Sequence, residues 1–557
     1  MVYTSLPSLP PELWGYITSY LSNNDIKSLR LTCSQFNNAV FFRLDRVFLS
    51  ANPLNVEVFR NIASHEKLRH QVTEIIWDEA CLIRGPPRTP ESHEGHELLS
   101  DEDDEPANSN TREWNKHYSE LYQEEMLERH EDKEGVNGCP NWFKDACEEN
   151  IEILKSRKNR DVDRPDHLAR REQVLAQPSL RDCWDHYRHL LRQQKAVLAD
   201  NSDLEAFSYG VKRFPALKRI TITPAAHGYL FAPLYWTPMI RTFPKGFNYP
   251  IPRGWLYPRI NSEPANAYAW NHYPQLKERY RGFCTAMRVL ANEPNSVSEL
   301  VMTSNFLPTG INCTIFDEPC EEYDHFTTVL KNPGFRRLDI TLLVCEESQE
   351  GLDACWRSLL NGRLRRALGE ARGMEVFRLH TTFSGALYTK EKYPLIPLQS
   401  IVPVEKWLNL RHFELSGFAI SQDDCISFLR TLPNSVRSIE LSMLRFLDAG
   451  DWYLLLQDLQ RMVSDRDATS KPRITLGLPM SKSNPELGRA KWIEKEAQDF
   501  LYNGGENPFD EDYPLQVPFG VGVLRDAFEP NFERPNVHGD ILREMNICKE
   551  GYYPPEY

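Results

Sequence analysis

The sequence lacks long apolar runs, a secretory leader and a regular arrangement of cysteines. None of its 557 residues lies in a stretch near the ~20 apolar residues that span a membrane, and residues 1–7 lack basic and apolar leader regions. The 12 cysteines are scattered, which favours a reducing compartment over a disulfide framework. We therefore expect a soluble protein of the cytoplasm or nucleus.

The sequence also lacks an excess of positive charge. Lys and Arg number 65 against 79 Asp and Glu, a formal net charge of −14. This balance argues against nucleic acid or a membrane as a partner, although a local basic patch escapes the argument. A hydrophobic content of 41% excludes wholesale disorder, and the length suggests about three to four domains or one long repeat array.

Motifs of catalysis and cofactor binding are missing as well. There is no Gly-rich phosphate loop, no H-E-x-x-H and no G-x-S-x-G. Cys313, Cys320 and His325 lack the paired spacing of a zinc site, and no cysteine has an electropositive context that would activate its thiol. We predict no catalytic residue, no metal and no cofactor. An enzyme within residues 140–557 is an alternative that turnover by that fragment would reveal.

The first forty residues carry a helical pattern. Pro11 and Glu12 suit the first turn of a helix. Apolar residues then recur at helical spacing in three groups separated by polar breaks: Leu13, Ile17 and Leu21; Ile26 and Leu29; Cys33 and Phe36. So small a unit is not stable alone, so its apolar residues must face the rest of the chain or another protein.

This stretch resembles the F-box motif over about residues 5–45. The matching positions are Leu9-Pro10-x-Glu12-Leu13, Ile17, Leu21, Asp25-Ile26, Leu29-Arg30 and Cys33-x-x-Phe36. Members of that family dock on the adaptor subunit of cullin–RING ubiquitin ligases, and the rest of the chain usually selects a substrate. The resemblance implies an adaptor-facing surface and its support formed by Leu9, Pro10, Leu13, Ile17, Leu21, Ile26 and Leu29.

A heptapeptide with apolar residues at positions one, four and six recurs along the chain. Clear copies begin at Leu217, Val297, Phe335, Met374, Leu410 and Val436, and weaker ones at Val72 and Ile474. Positions four and six alternate with polar neighbours, as in a strand with one buried face. Helical patterns fill the gaps, which predicts parallel strands joined by helical crossovers.

The repeated heptapeptide resembles the leucine-rich repeat, Leu-x-x-Leu-x-Leu, without its usual Asn ladder and with irregular spacing. The predicted fold class is therefore α/β: a three-helix F-box followed by an irregular leucine-rich-repeat-like solenoid with long insertions. An ordinary α/β domain with similar strands is the alternative. We expect positions five and seven to face solvent and to contact a protein substrate, with candidates Thr221, Asp339, Arg378, His380, Glu414 and Glu440. The alternative, that this face of the sheet contacts only solvent and no substrate, is equally open.

Composition divides the chain into six segments: an F-box module (1–50), a connecting helix and first strand (51–85), an acidic disordered linker (86–110), a helical insertion (111–200), the repeat array (201–500) and a Pro/Tyr-rich tail (501–557). The linker holds eight acids between Glu91 and Glu105, and Ser100 is a phosphorylation candidate for an acid-directed kinase. Within the array, 224–275 holds nine prolines and twelve aromatic residues, so we expect an ordered loop that contacts substrate or covers the array.

These patterns together predict a substrate-recognition subunit of an SCF-type ubiquitin ligase. The partners would be the adaptor, through it the cullin, and an unidentified protein substrate. Such a subunit needs no catalytic residue, because it acts by holding the substrate near the transfer machinery. An interaction scaffold that binds the adaptor without delivering substrates is the alternative.

Overall fold

The structure is a computed structural model that describes residues 9–21, 23–40, 42–85, 138–160, 167–256, 267–272, 274–344, 356–383, 397–447, 450–464, 470–479, 489–511, 517–518 and 520–535. The acidic segment 86–110 with Ser100, the first part of the helical insertion and the end of the C-terminal tail lie outside the described residues. Within the described ranges, no helix has both the length and the apolar character needed to cross a membrane.

Three short helices form the N-terminal module: α1 (Pro11–Ser19), α2 (Asn23–Thr32) and α3 (Ser34–Ala39). Pro11 begins α1, where the missing N–H costs no hydrogen bond. The module has its own small core of Trp14, Ile26, Phe36 and Val40, with Trp14 packed edge-on against Phe36. This core is separate from the large core of the sheet.

An open and mostly parallel sheet, with 13 strands among the described residues, forms the body of the structure. Its parallel strands are β1 (Arg46–Leu49), β2 (Glu74–Asp78), β3 (Arg219–Thr223), β4 (Glu299–Met302), β5 (Ile311–Asn312), β6 (Arg337–Leu343), β7 (Val376–Thr381), β8 (His412–Ser416), β10 (Ser438–Ser442) and β12 (Arg473–Pro479). The antiparallel strands β13 (Arg489–Ile493), β14 (Val523–Asp526) and β15 (Glu529–Pro535) follow β12. Two short strands, β9 (Ala419–Ile420) and β11 (Arg445–Phe446), pair separately.

Helices fill the connections between the strands, so the α/β prediction is confirmed at this level. They are α4 (Pro53–Ser64), α5 (Asn141–Arg160), α6 (His167–Leu175), α7 (Leu180–Asp200), α8 (Ser202–Arg213), α9 (Pro238–Arg241), α10 (Pro274–Glu278), α11 (Arg281–Asn292), α12 (Glu321–Leu330), α13 (Arg363–Leu368), α14 (Leu398–Ile401), α15 (Gln422–Arg430), α16 (Trp452–Ser464) and α17 (Lys495–Asn503). Single 3₁₀ turns cover Leu68–His70, Cys313–Phe316 and Val404–Lys406.

The two faces of the sheet follow the repeated heptapeptide. Positions four and six, such as Ile220 and Ile222, are fully buried with helix residues such as Phe207 in the large core. Positions three, five and seven lie on the opposite side, because side chains alternate along a strand. We call this second side the polar face.

A second core joins the helical insertion to the proline- and aromatic-rich segment. Phe143 on α5 and Trp184 and Tyr187 on α7 pack with Phe247 and Tyr249, which stack on each other with centroids 4.7 Å apart. Residues 224–256, the longest described part of this segment, are therefore ordered and largely buried. These residues pack against the helical insertion, which favours the expected covering role over the expected contact with a substrate.

Two helices begin with different caps. Ser421 caps α15, with its side chain accepting from the Asp424 N–H. The helix α8 begins at Ser202, and the preceding Asn201 occupies the N-cap position in a left-handed conformation (φ 57°) without a side-chain capping hydrogen bond. Asn201 also ends α7, so this one residue makes the turn between the two helices.

Candidate functional site

The N-terminal module exposes large apolar side chains. Leu13 is 48% exposed, Tyr16 65%, Tyr20 73% and Leu31 79%. The Tyr20 hydroxyl donates to the Tyr16 hydroxyl at 2.9 Å, so the two exposed rings support each other. Large exposed apolar groups on a small helical module mark an interaction surface.

The residues predicted to face the adaptor divide by burial. Pro10 and Leu13 are exposed, Leu9, Ile17, Leu21 and Leu29 are partly buried, and Ile26 is fully buried. Ile26 therefore supports the surface from within. Trp14, 3% exposed, lies at the centre of the module's core, although the apolar pattern did not include it. Tyr16, Tyr20 and Leu31 were missed, because periodicity alone does not tell a core face from a binding face.

On the polar face, the predicted position-five residues form one row across neighbouring strands. The register pairs Thr221 with Val301, Val301 with Asp339, Asp339 with Arg378, Arg378 with Glu414, and Glu414 with Glu440. His380, at position seven of β7, pairs with Ser416 of β8. The predicted residues on β6, β7, β8 and β10 are thus brought together, whereas Thr221 lies two strands away.

Ion pairs connect this row into a network. Arg378 lies 3.0 Å from an Asp339 oxygen and 2.6 Å from a Glu414 oxygen, so it bridges β6 and β8. The Glu414 carboxylate also contacts the imidazoles of His380 at 2.5 Å and His412 at 3.5 Å. Several partners for one buried carboxylate are what a buried charge requires.

Two facing carboxyl groups in this network have opposite pKa shifts. Burial, followed by the charge of Glu414 and a hydrogen bond with it, raises the pKa of Glu440 to about 8, against the lowering effect of Arg378 and Arg525. Burial opposes ionisation of Glu414 too, but the charges and hydrogen bonds of His380, His412 and Arg378 outweigh it and hold its pKa well below the usual range. At neutral pH the pair shares one proton, which resides on Glu440.

The expectation that this row faces solvent is wrong for Asp339, Glu414 and Thr221, whereas Glu440 is partly exposed. The side chains of Asp339 and Glu414 are 3% and 5% exposed, whereas that of Arg378 is 30% exposed. Long guanidinium side chains extend over short carboxylates and cover them. Thr221 is buried as well, and its hydroxyl donates to Glu74 at 2.6 Å.

A second row of charged residues on the polar face was missed. Position three carries Arg219, Glu299, Arg337 and His412 in clear copies and Glu74 in the weaker copy on β2. Arg46 of the edge strand β1 continues the row in the same register. Arg46 pairs with Glu74 at 2.9 Å, and the Arg219 guanidinium donates to Glu299 at 2.7 Å. The signal was present in the heptapeptide, where position three is Arg or Glu in three of the six clear copies.

A strained loop covers part of the polar face. Asn305 and Phe306, just after β4, adopt left-handed backbone with φ of 54° and 60°, a conformation that non-glycine residues rarely adopt. The Phe306 ring stacks on His380 at 5.9 Å between centroids and lies 6.2 Å from Trp492. No glycine stands at either position, so the left-handed backbone at Phe306 was not expected from the sequence.

A buried acid–histidine pair lies beneath segment 224–256. An Asp78 oxygen is 3.6 Å from His227, whose other ring nitrogen meets the Tyr249 hydroxyl at 2.8 Å. Burial raises the pKa of Asp78 to about 7 and lowers that of His227 to about 3. His227 is therefore uncharged at neutral pH, and both side chains are sealed within the packing.

Among the residues that the structure describes, no cluster of three or more His, Cys, Asp or Glu side chains has an arrangement fit for a metal ion. The thiols of Cys81 and Cys425 are buried, and burial raises the pKa of each to about 12. A thiol with so high a pKa is a poor nucleophile at neutral pH.

Comparison with protein families matches the F-box domain at residues 6–41. No curated protein matches the chain. The three-helix module with its exposed leucines and tyrosines is thus an F-box domain, as the N-terminal pattern predicted. F-box domains are adaptor-binding domains of cullin-based ubiquitin ligases, which defines the class of partner for this surface.

Proposed function

We propose that this protein is the substrate-recognition subunit of an SCF-type ubiquitin ligase. The F-box domain would bind the adaptor and so the cullin, and the polar face would bind a protein substrate. In this role the protein is a receptor and not an enzyme, and it acts in the cytoplasm or nucleus. The observation that carries the proposal is the F-box match at residues 6–41 together with the exposed Leu13, Tyr16 and Tyr20.

The order of the sheet supports a repeat architecture for the substrate-binding part. Its parallel strands follow one another in chain order from β1 to β12, apart from the short β5 and the separately paired β9 and β11. Stacking of this kind is what a leucine-rich-repeat-like solenoid produces. We therefore propose that residues 201–500 are a divergent array of that type.

The composition of the polar face supports protein recognition. Arg378, His380 and Glu440 are partly exposed, and each interacts with the buried Glu414. Arginine with fixed geometry is enriched where proteins bind tightly. Such side chains are ordered before the partner arrives, which lowers the entropy cost of binding.

The decisive experiment is adaptor binding by a surface variant of the full chain. Leu13→Asp places a charge on an exposed leucine of α1, so we expect co-purification with the adaptor to fall about tenfold or more, given the ~1.4 kcal/mol per decade of affinity. Leu175→Asp, at a leucine of α6 that is 75% exposed, is the matched control and should bind normally. The proposal would be overturned if both variants bind the adaptor equally well. It would also be overturned if neither the variants nor the wild-type protein binds the adaptor.

Delivery for ubiquitylation separates a receptor from a scaffold. In cells that carry Leu13→Asp in place of wild type, the substrate proteins should accumulate because their half-lives lengthen. Quantitative proteomics after translation is blocked measures these half-lives in variant and wild-type cells. If the adaptor binds wild type and no protein changes its half-life, the scaffold alternative is favoured.

A further inference from the structure

The strand beginnings of the sheet form a continuous rim. Backbone hydrogen bonds link position two of successive repeats: Ser298 to Lys218, Arg336 to Ser298, Glu375 to Arg336, Arg411 to Glu375 and Arg437 to Arg411. Six neighbouring residues therefore lie one strand spacing apart. At ~4.8 Å per strand, the row extends about 24 Å, the length of an extended peptide of about seven residues.

This rim is basic in an acidic protein. Positions two and three of the six clear repeats hold six Lys or Arg residues and two Glu residues: Lys218, Arg219, Arg336, Arg337, Arg411 and Arg437 against Glu299 and Glu375. The whole chain, by contrast, has a net charge of −14. An excess of one sign along one edge creates a local potential that attracts the opposite charge.

The cations of position two are exposed and poorly neutralised. Lys218, Arg336, Arg411 and Arg437 all face solvent. Arg336 and Arg411 share the single acid Glu375, at 3.2 and 3.9 Å. Among the described residues, Lys218 and Arg437 make no ion pair. Arg437 donates instead to the carbonyl oxygens of Asn434 and Val436.

We propose that this basic rim, defined as Lys218, Arg336, Arg411 and Arg437, binds an extended acidic segment of a protein, rich in Asp and Glu. The inference rests on the proposed function, because it names the substrate class of the receptor. Carboxylates of the segment would pair with Lys218 and Arg437, which make no ion pair among the described residues, and with Arg336 and Arg411, which share one acid. The buried acids of the polar face, Asp339 and Glu414, are shielded by arginine and do not repel the segment.

The test is fluorescence anisotropy with the full chain bound to the adaptor. The probe is a fluorescein-labelled ten-residue peptide of alternating Glu and Ser. We expect binding that weakens between low and physiological salt and that falls about tenfold or more in Lys218→Glu/Arg437→Glu, since each reversal turns attraction into repulsion. The matched control, Arg192→Glu/Lys195→Glu on α7, makes the same charge change at exposed cations elsewhere and should leave affinity within about twofold.

Three outcomes would overturn the proposal: no binding of the Glu/Ser peptide, equal loss in both charge-reversal variants, or tighter rim-dependent binding of a ten-nucleotide single strand. The milder Lys218→Gln/Arg437→Gln variant guards against misfolding and should show an intermediate loss. Adaptor co-purification is measured on the same preparations. If the wild-type protein binds the adaptor but not the peptide, the proposal for the basic rim is refuted. If the wild-type protein does not bind the adaptor, the proposed function is refuted.

Discussion

At the scale of single residues, the polar face holds two adjacent glutamates with different tasks. Glu414 is the ionised centre of a cluster of Arg378, His380 and His412. Glu440 lies beside it in register and keeps its proton, first because burial disfavours its charged form and then because the charge of Glu414 repels a second negative charge. A single row of side chains thus contains one charged and one neutral carboxyl group.

Glu440→Gln tests this assignment through pH. The folded pKa of Glu440, about 8, lies above its ordinary value, so the folded state holds a proton that the unfolded state loses between about pH 4.5 and 8. Wild-type stability therefore falls as pH rises through this window. Glutamine mimics the protonated acid, so the variant should be more stable than wild type at pH 8 by about 1 kcal/mol or more, and equal near pH 4.5. Urea unfolding at the two pH values measures the difference.

Glu414→Gln is the matched comparison, and its sign is opposite. The folded pKa of Glu414 is depressed, so its stabilising contribution is present above its ordinary pKa and is lost as pH falls through the folded pKa. The variant should lose about 2–4 kcal/mol at neutral pH, because the partly buried Arg378, His380 and His412 lose the carboxylate that they share, and the loss should shrink in acid. Parallel pH profiles for the two variants would contradict the assignment.

At the scale of elements, the end of the parallel sheet depends on one close approach. Trp492 of β13 lies over Gly477 of β12, and a Cβ at Gly477 would lie 2.6 Å from Ser442 Cβ and 2.8 Å from the Trp492 ring. The last parallel strand carries glycine here because the antiparallel neighbour brings its indole onto that face. The junction between the parallel and antiparallel strands is therefore tightly packed.

Gly477→Ala should consequently destabilise the protein. Overpacking of this kind costs about 1–3 kcal/mol, and we expect a lower midpoint of urea unfolding. Gly334→Ala is the matched control, because a Cβ there meets only Asn332 Oδ1 at 3.4 Å. Equal stability of the two variants would show that β13 moves away without cost.

At the scale of the whole molecule, the F-box domain and the sheet have separate hydrophobic cores. The sheet core extends from Val47 to Phe509, whereas the F-box core is a cluster of four buried residues with a few partly buried neighbours. A small core supplies little stability by itself. Binding of the adaptor to the exposed apolar surface would then stabilise the domain by mass action.

Hydrogen exchange on the full chain measures this difference. We expect amide hydrogens of α1–α3 to exchange at least about tenfold faster than those of β6–β8, because local opening of a small core costs less than opening the sheet. Adding the adaptor should slow exchange in the F-box domain and leave β6–β8 unchanged. Slow exchange in α1–α3 without adaptor would mean that the module is already sealed by its own chain.

The sequence by itself determined the helices of the F-box domain, the strands of the repeated heptapeptide and the α/β class. These depend on local periodicity: Leu13, Ile17 and Leu21 recur at helical spacing, and Ile220 and Ile222 alternate along a strand. Only the tertiary structure decided that Trp14 rather than Leu13 fills the F-box core, that Arg378 covers Glu414, and that Phe306 stacks on His380. The reason is physical: each of these depends on contacts between residues distant in the chain, and a pattern read along one segment does not contain its neighbours in space.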